Sequence, residues 1–269
     1  MKKMTITNDF DYKNAHHNFL AFCKVIKGDK FQIVAFHELI ISALQDLAEG
    51  KYQNLAISCP PRSGKTTMAS LFLAWLIGRD QNACHILSSY GPVITGSIFS
   101  RVISILDMDA FSVVFPEYNL GNPNVLPAAV ESSLCGYGVG TTSYESAGLG
   151  AFLVDDPVKY IGSLGNNLEE WWEEVASTRL MNNYCRLIIG SRTQDQDLHG
   201  IVKKSPEKWR FINIPALCED PETDVLGREL GESYWPGNPA TTPDMLNQQK
   251  RAMGDRQFST VYQGRPLPV

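Results

Sequence analysis

The segment ISCPPRSGKTTMASLFLAWLI, residues 57–77, places Gly-Lys-Thr-Thr between one apolar run and the start of a longer one. The pattern predicts a strand over residues 55–58 and a helix over residues 64–77, joined by a loop. Amide groups at the amino terminus of a helix carry partial positive charge and bind anions. This order is typical of a phosphate-binding loop, in which Lys65 neutralises the β and γ phosphates of a nucleotide and the Thr66 hydroxyl ligates Mg²⁺.

The loop departs from the usual GxxxxGK[ST] pattern, because Cys59 stands at the position of the first glycine and two prolines follow it. A bare Gly-Lys-Ser/Thr sequence also occurs by chance in about one chain in ten of this length. The motif therefore needs a second signal before it predicts a site. Given such a signal, the loop residues expected to bind ATP are Pro61, Ser63, Gly64, Lys65, Thr66 and Thr67.

The second signal is GAFLVDDPVKY, residues 150–160, in which four apolar residues precede Asp155 and Asp156. A buried strand over residues 151–154 would carry both carboxylates to the carboxyl edge of a sheet, where nucleotides bind in open α/β folds. Asp155 is expected to hold Mg²⁺, directly or through water, and Asp156 to act as general base on the attacking water. Alone, Asp-Asp-Pro is better explained by a turn. Together, the two motifs predict hydrolysis of ATP or GTP, with a base one methylene shorter than the usual glutamate.

Strand and helix patterns alternate along the chain, which predicts an α/β fold with a mostly parallel sheet sandwiched by helices. Further strands are expected over residues 84–88, 186–190 and 209–214, and further helices over residues 93–106, 168–179 and 244–253, the last opened by Thr242 or Pro243. Residues 116–150 are rich in Gly, Pro, Ser and Thr and are predicted as loops or a hairpin.

Length and composition fit a globular protein, since the 269 residues are 43% hydrophobic. The expected organisation is an amino-terminal extension (1–30), a nucleotide-binding core (31–218) and a carboxyl-terminal segment of the same domain (219–269). No apolar stretch is long enough to cross a bilayer and no secretory signal precedes the core, which favours a cytosolic protein. Six scattered cysteines without a CxxC pair predict reduced thiols, and a net charge of −5 leaves room only for a local basic groove.

The chain resembles a known family, the large terminase subunit of tailed bacteriophages, the ATPase that pumps DNA into the empty capsid. The resemblance runs over residues 31–268. It is carried by FHELIISALQDLAEGKYQNLAISCPPRSGKT, FLVDDPVK, WWEEVASTRLMNNYCRLIIGSRTQDQDLHG, WRFINIPALCED, GRELGESYWPG and MLNQQKRAMGDRQFSTVYQGRPLP. It implies a P-loop NTPase of RecA-like topology with an additional strand (the ASCE group), in which Mg-ATP hydrolysis drives translocation of double-stranded DNA.

The resemblance also implies roles for residues outside the two Walker motifs. Phe36 and His37 correspond to the pair beside the adenine, and Arg62 to an arginine of the Walker A loop that holds phosphate oxygens. Residues of GSRTQDQD, 190–197, correspond to the coupling motif that senses the γ-phosphate; the candidates are Ser191, Arg192 and Thr193. A strand-to-helix turn explains the same segment nearly as well, with Asp195 or Asp197 capping the helix.

One departure from the family concerns the arginine finger. Many terminases carry an arginine in the glycine-rich approach to Walker B, whereas this chain has none between Arg101 and Arg179. Either Arg62 takes the role in cis, or a neighbouring subunit in a ring supplies Arg179 or Arg192. An isolated monomer is therefore expected to hydrolyse ATP poorly, since loss of such an arginine lowers turnover by roughly 10³ to 10⁵.

Partners follow from the resemblance too: double-stranded DNA, the portal protein, the small terminase subunit, and copies of the chain itself in a ring on the procapsid, in the host cytoplasm. The family's nuclease domain is not expected here, so the chain should not cut DNA. The densest basic cluster is Lys203, Lys204, Lys208 and Arg210, a candidate DNA contact or merely a solvated face. Alternative functions are a DNA helicase or repair translocase and a nucleotide-dependent scaffold with little hydrolysis.

Overall fold

The computed structural model describes residues 9–28, 32–119, 121–130, 132–134, 136–141, 148–157 and 168–267. The strands are β1 (Asn54–Ser58), β2 (His85–Ser89), β3 (Val125–Ala129), β4 (Gly150–Asp155), β5 (Tyr184–Gly190) and β6 (Arg210–Asn213). The α-helices are α1 (Asp9–His17), α2 (Phe19–Lys27), α3 (Ala35–Ala48), α4 (Lys65–Arg79), α5 (Pro92–Leu106), α6 (Asp109–Val114), α7 (Leu168–Glu170), α8 (Leu198–Lys204), α9 (Pro243–Met253) and α10 (Asp255–Val261).

The six strands form one sheet in the order β3-β2-β4-β5-β1-β6, and each neighbouring pair is parallel. Alternate residues of each central strand enter separate apolar layers. In β4, Leu153 joins the layer that contains α2 to α5, whereas Phe152 and Val154 join the layer that contains Trp171 and Trp172. A sheet covered on both faces explains the continuous apolar runs of the strands and confirms the predicted α/β sandwich.

The one strand that the sequence did not predict is β3, at the edge of the sheet. Residues 116–150 were expected to be loops or a hairpin, and this prediction is wrong for Val125–Ala129, which pairs with β2 in parallel. Residues 125–130 read VLPAAV and are apolar, but only Val125 of the strand is buried, and a proline within the run is atypical of a strand. Pro127 cannot donate a ladder hydrogen bond, and an edge strand accommodates that loss.

The helix predicted over residues 168–179 is helical but irregular. After α7 the chain forms a π-helical turn over Trp171–Ala176 and a 3₁₀ turn over Ser177–Arg179. Trp171 and Trp172 are both buried, and both rings pack against Phe152, with centroids 6.2 and 5.9 Å from it. The wider turn lets two successive large side chains enter one apolar layer.

Both terminal segments pack on the core. In α2, Phe19 and Phe22 are fully buried, and the Trp75 indole of α4 donates a 3.0 Å hydrogen bond to the carbonyl of Ala15 in α1. At the other end, the Thr242 hydroxyl caps α9 as expected by accepting from an amide of its first turn. The domain boundaries given above stay predictions.

The described cysteines carry free thiols, as the sequence predicts. Cys23, Cys59, Cys84, Cys185 and Cys218 are free, while Cys135 lies outside the described residues. Burial raises the pKa of the Cys59 thiol to about 11, so this thiol at the start of the loop is protonated at neutral pH. Within the described ranges, no helix combines the length and apolarity needed to cross a bilayer.

Candidate functional site

The loop between β1 and α4 curls at the carboxyl edge of the sheet. Two of its residues have left-handed backbone conformations, Arg62 with φ 65° and Gly64 with φ 80°. The amide of Cys59 anchors the start of the loop by donating to the Gly190 carbonyl of β5, at 3.1 Å. Gly64 precedes α4 and supplies no side-chain cap, so the first amides of this helix remain open to an anion.

His37 holds this loop from the protein interior. Its Nδ1 accepts from the Val34 amide at 3.3 Å, and the ring also forms a hydrogen bond with the backbone of Ser63. Burial lowers the pKa of His37 to about 4, so the ring is neutral at pH 7. With Nδ1 accepting, Nε2 carries the proton and donates to the loop.

The predicted adenine pair, Phe36 and His37, is therefore buried under the loop. The two side chains are 0% and 1% exposed. Phe36 packs against Tyr234 and Trp235, with ring centroids 5.0 and 5.5 Å away. In this arrangement both rings contact other aromatic side chains, and their contact with an adenine stays a prediction.

The Walker A lysine and the proposed base form an ion pair. Lys65 Nζ lies 3.2 Å from Asp156 Oδ2, and the lysine side chain is 9% exposed. Burial is the largest influence and acts to lower the pKa of Lys65, but Asp156, Cys59 and Asp155 together outweigh it, and the pKa is raised. The two motifs that the sequence predicts separately thus meet at one edge of the sheet.

Asp155, at the end of β4, occupies the position predicted for a metal ligand. Its carboxylate accepts a hydrogen bond from the Thr66 side chain, while Oδ1 is buried with no partner among the described residues. Burial, reinforced by the charge of Asp156, raises the pKa of Asp155 to about 7. A buried carboxylate oxygen that lacks a hydrogen-bond donor and lies beside a hydroxyl group fits a cation-binding site. Thr66 and Asp155 would be the protein ligands of Mg²⁺, which takes few of them and completes its shell with water and phosphate.

Asp156 has a strained backbone and a precisely oriented carboxylate. Its φ is 43°, in the left-handed region, which costs about 1–2 kcal/mol for a residue other than glycine. Oδ1 accepts from the Ser191 amide at 2.9 Å. A Cβ on Gly190 would lie 2.9 Å from the same oxygen, so this carboxylate position depends on glycine there. The side chain is 35% exposed and faces the loop.

The predicted coupling segment connects these parts. Besides its amide bond to Asp156, Ser191 donates through Oγ to the Cys59 carbonyl at 3.0 Å, which joins the base to the start of the loop. Asp197 caps α8 by accepting from the Gly200 amide at 3.1 Å and also accepts from the Thr193 amide at 2.9 Å. Of the two caps that the sequence left open, Asp197 is the one that forms.

The arginines predicted as possible fingers lie in different environments. Arg192 Nε donates to both carboxylate oxygens of Asp197 at 2.9 Å, and its side chain is 12% exposed. Arg179 lies near the amino edge of the sheet, where its carbonyl accepts from Val139, and its Nε is buried without a partner among the described residues. Arg62 is exposed on the loop itself. Of these three arginines, only Arg62 both lies at the edge of the sheet that carries the phosphate loop and has an exposed side chain.

One arginine at this edge escaped the sequence analysis. Arg101, on α5, donates through Nη1 to the Thr67 hydroxyl of α4 at 3.1 Å. No motif marks it, because an exposed arginine on an amphipathic helix has an ordinary solvated interpretation. Only the packing of α5 beside α4 brings it to the loop.

The basic cluster is partly neutralised within the chain. Arg210 pairs with Asp46 at 3.1 Å and lies over the Tyr52 ring at 5.0 Å. Lys204 is 3.8 Å from Asp195. Lys203 and Lys208 are exposed. A DNA contact here stays a prediction.

Comparison with known proteins supplies a structural match. No protein-family model matches the chain, and no curated protein matches it in sequence. A solved structure, the large terminase of bacteriophage HK97, superposes with a TM-score of 0.55 and 14% identity, over 97% of this chain and 56% of that one. The chain thus spans about half the length of that terminase. At this identity the likeness concerns the fold, and a fold does not by itself assign an activity. The chain has the fold of a phage large terminase, as its sequence motifs predicted.

Proposed function

We propose that the chain binds Mg-ATP and hydrolyses it as the motor of a viral DNA-packaging terminase. The observation that carries the proposal is the meeting of Lys65 and Asp156, 3.2 Å apart, beside the contact between Thr66 and Asp155. A phosphate loop with a lysine, a hydroxyl and two carboxylates at one sheet edge is the equipment for phosphoryl transfer to water. Many functions are driven by ATP hydrolysis at such a site. Among them, the likeness to a terminase fold favours DNA packaging.

The chain's own residues suggest the sequence of events. The open amides of the loop and α4 receive the phosphates, and Lys65 turns from Asp156 to the β and γ phosphate oxygens. Asp156, still held by the Ser191 amide, then accepts a proton from the attacking water. Thr66 and Asp155 would hold Mg²⁺, which neutralises phosphate charge when bound. Arg62 would contact phosphate oxygens from the outer side of the loop.

Conversion of hydrolysis into movement would pass through Ser191. This residue contacts both the base and the start of the loop, and the next residues lead into α8 through Arg192, Thr193 and the Asp197 cap. The proposed partners are double-stranded DNA, a portal protein, a small terminase subunit and further copies of the chain in a ring, in the host cytoplasm. Support for these partners is the fold alone.

A nucleotide-dependent scaffold with little hydrolysis is the second candidate. The Lys65–Asp156 ion pair favours it, because a base that remains neutralised by lysine accepts a proton poorly. Binding without turnover would then serve assembly. Turnover measurements separate the two candidates, and strand unwinding without a capsid would instead favour a helicase.

The test measures ATP affinity by calorimetry and ATP turnover for the chain and two variants. Lys65→Ala should weaken ATP binding by at least about tenfold, because it removes a charge-assisted contact. Asp156→Asn should keep binding and lower turnover by about 10² to 10⁴, the usual contribution of a general base. Lys24→Ala, at an exposed position of α2, is the control and should behave like the wild type. Turnover that ignores both site substitutions contradicts the proposal.

A further inference from the structure

Arg101 reaches the phosphate loop from a neighbouring helix. It lies on α5, which follows β2, and its guanidinium donates to Thr67 Oγ1 at 3.1 Å. Thr67 follows the proposed metal ligand Thr66 in the first turn of α4, the turn whose amides face the anion. The side chain of Arg101 is exposed, so it can move without unpacking the core.

The charge of Arg101 also acts on the metal side of the site. It is one of the charges that lower the pKa of the buried Asp155 carboxyl, against the larger raising effect of burial. A guanidinium has five N–H donors in a planar fork, and Thr67 is the one described residue that accepts from it. Most of its donors therefore remain available to oxygen atoms of a ligand.

Two other described arginines, Arg192 and Arg179, are less able to bind the phosphates. Both carboxylate oxygens of Asp197 engage Arg192, and Arg179 lies toward the opposite edge of the sheet. Among the residues that the structure describes, Arg62 on the loop and Arg101 on α5 then remain, besides Lys65, as cations at the phosphate edge. The two approach from different elements, one from the loop and one from the helix beside α4.

We propose that Arg101 binds the phosphates of the nucleotide in cis, exchanging the Thr67 hydroxyl for phosphate oxygens when the nucleotide enters. This inference rests on the proposed ATP site. The planar fork matches a phosphate, and a charged acceptor is a stronger partner than a threonine hydroxyl. The exchange leaves Thr67 free to bond within the first turn of α4 or to the nucleotide.

The experiment compares ATP affinity, by calorimetry with Mg²⁺, between the wild type and Arg101→Gln. Glutamine keeps a polar amide at this position but is shorter and carries no charge. We expect ATP affinity to fall about 10- to 100-fold, the range for a charge-assisted hydrogen bond. Binding of adenosine, which has no phosphate, should be unchanged. A merely structural role would weaken both ligands alike.

Two further variants keep the test decisive. Arg251→Gln, at an exposed position of α9, should bind ATP like the wild type. If Arg101→Gln does not fold, Arg101→Lys is measured, which keeps the charge and loses the fork; we expect several-fold weaker ATP binding. Wild-type affinity in the folded Arg101 variant overturns the inference.

Lys65→Ala, measured alongside, separates this inference from the site itself. If Lys65→Ala abolishes ATP binding while the Arg101 variant binds normally, only the role of Arg101 is wrong. If the wild-type chain binds no ATP, the proposed function fails and the role of Arg101 fails with it.

Discussion

At the scale of single residues, the site combines side chains that the motifs predict with others that only packing brings together. Lys65, Thr66, Asp155 and Asp156 lie where their motifs place them, because a strand–loop–helix order leaves little choice of position. Neither Arg101 nor the burial of His37 could be predicted. Their positions depend on how α5 and α3 pack against the loop, and no local pattern encodes that packing.

His37 predicts a pH dependence of stability. The pKa of His37 is about 4 in the folded chain and 6.5 for an unperturbed histidine, so the unfolded chain binds its proton first as the pH falls. The neutral buried ring therefore contributes stability above pH 6.5, and this contribution is lost between pH 6.5 and 4. His85, buried with a pKa of about 4, acts in the same direction.

We expect the free energy of unfolding of His37→Gln, measured with urea, to fall less between pH 6.5 and pH 4 than that of the wild type. The difference in slope is at most about 1.4 kcal/mol per pH unit, the value for one proton. His17→Gln, an exposed position on α1, is the control and should follow the wild type. Parallel slopes for the wild type and His37→Gln would show that the buried ring is not responsible.

At the scale of elements, the observed ends of five strands and three helices lie within two residues of the predicted ones: β1, β2, β4, β5, β6, α4, α5 and α9. The 14-residue helix α3 was not predicted. The four central strands and α4 are fully or mostly buried, so their apolar patterns are strong, and α5 shows the spacing of a helix buried on one face. Two other departures from prediction have physical reasons. Strand β3 is half exposed and contains Pro127, and the turn at Trp171 and Trp172 departs from the α-helical period that pattern analysis assumes.

The segment between β5 and α8 gives a prediction about stability. Asp197 caps α8 and is the partner of the nearly buried Arg192. Asp197→Ala removes the cap and leaves a buried charge unpaired, so we expect a loss of about 3–5 kcal/mol in urea unfolding. Asp195→Ala is the matched control. Its exposed pair with Lys204 spans 3.8 Å, and we expect a change within about 0.5 kcal/mol. Equal losses in the two variants would contradict the assignment of the cap.

At the scale of the whole molecule, the sheet order and both apolar layers agree with the predicted sandwich, and the fold match covers nearly the full chain. The sequence could not decide which arginine would complete the proposed catalytic site, because that depends on whether copies of the chain assemble. Within the chain, Arg179 lies toward the amino edge of the sheet, away from its own phosphate loop. A neighbouring copy is the place where its guanidinium could act.

Forced oligomers test this arrangement. We expect ATP turnover per chain to rise by up to about 10³ when the chain is fused to a ring-forming scaffold, because an arginine supplied in trans has effects of that order. Oligomers of Arg179→Ala should lose the increase. Mixed oligomers of Arg179→Ala and Asp156→Asn chains should regain part of it, since one copy keeps the base and the other keeps the arginine. Full turnover in a strict monomer would exclude a role in trans.

The hydrogen bond from Trp75 to Ala15 has a mechanical consequence. Helix α4 has 15 residues and is about 22 Å long, with the phosphate loop at its first turn and Trp75 some 15 Å further along its axis. A helix resists compression, so an axial shift of its first turn displaces Trp75 by nearly the same distance. The helices α1 and α2 then either follow or break a buried contact. If ATP binding shifts the first turn of α4, we therefore expect the displacement to reach α1 and α2 through the body of this helix.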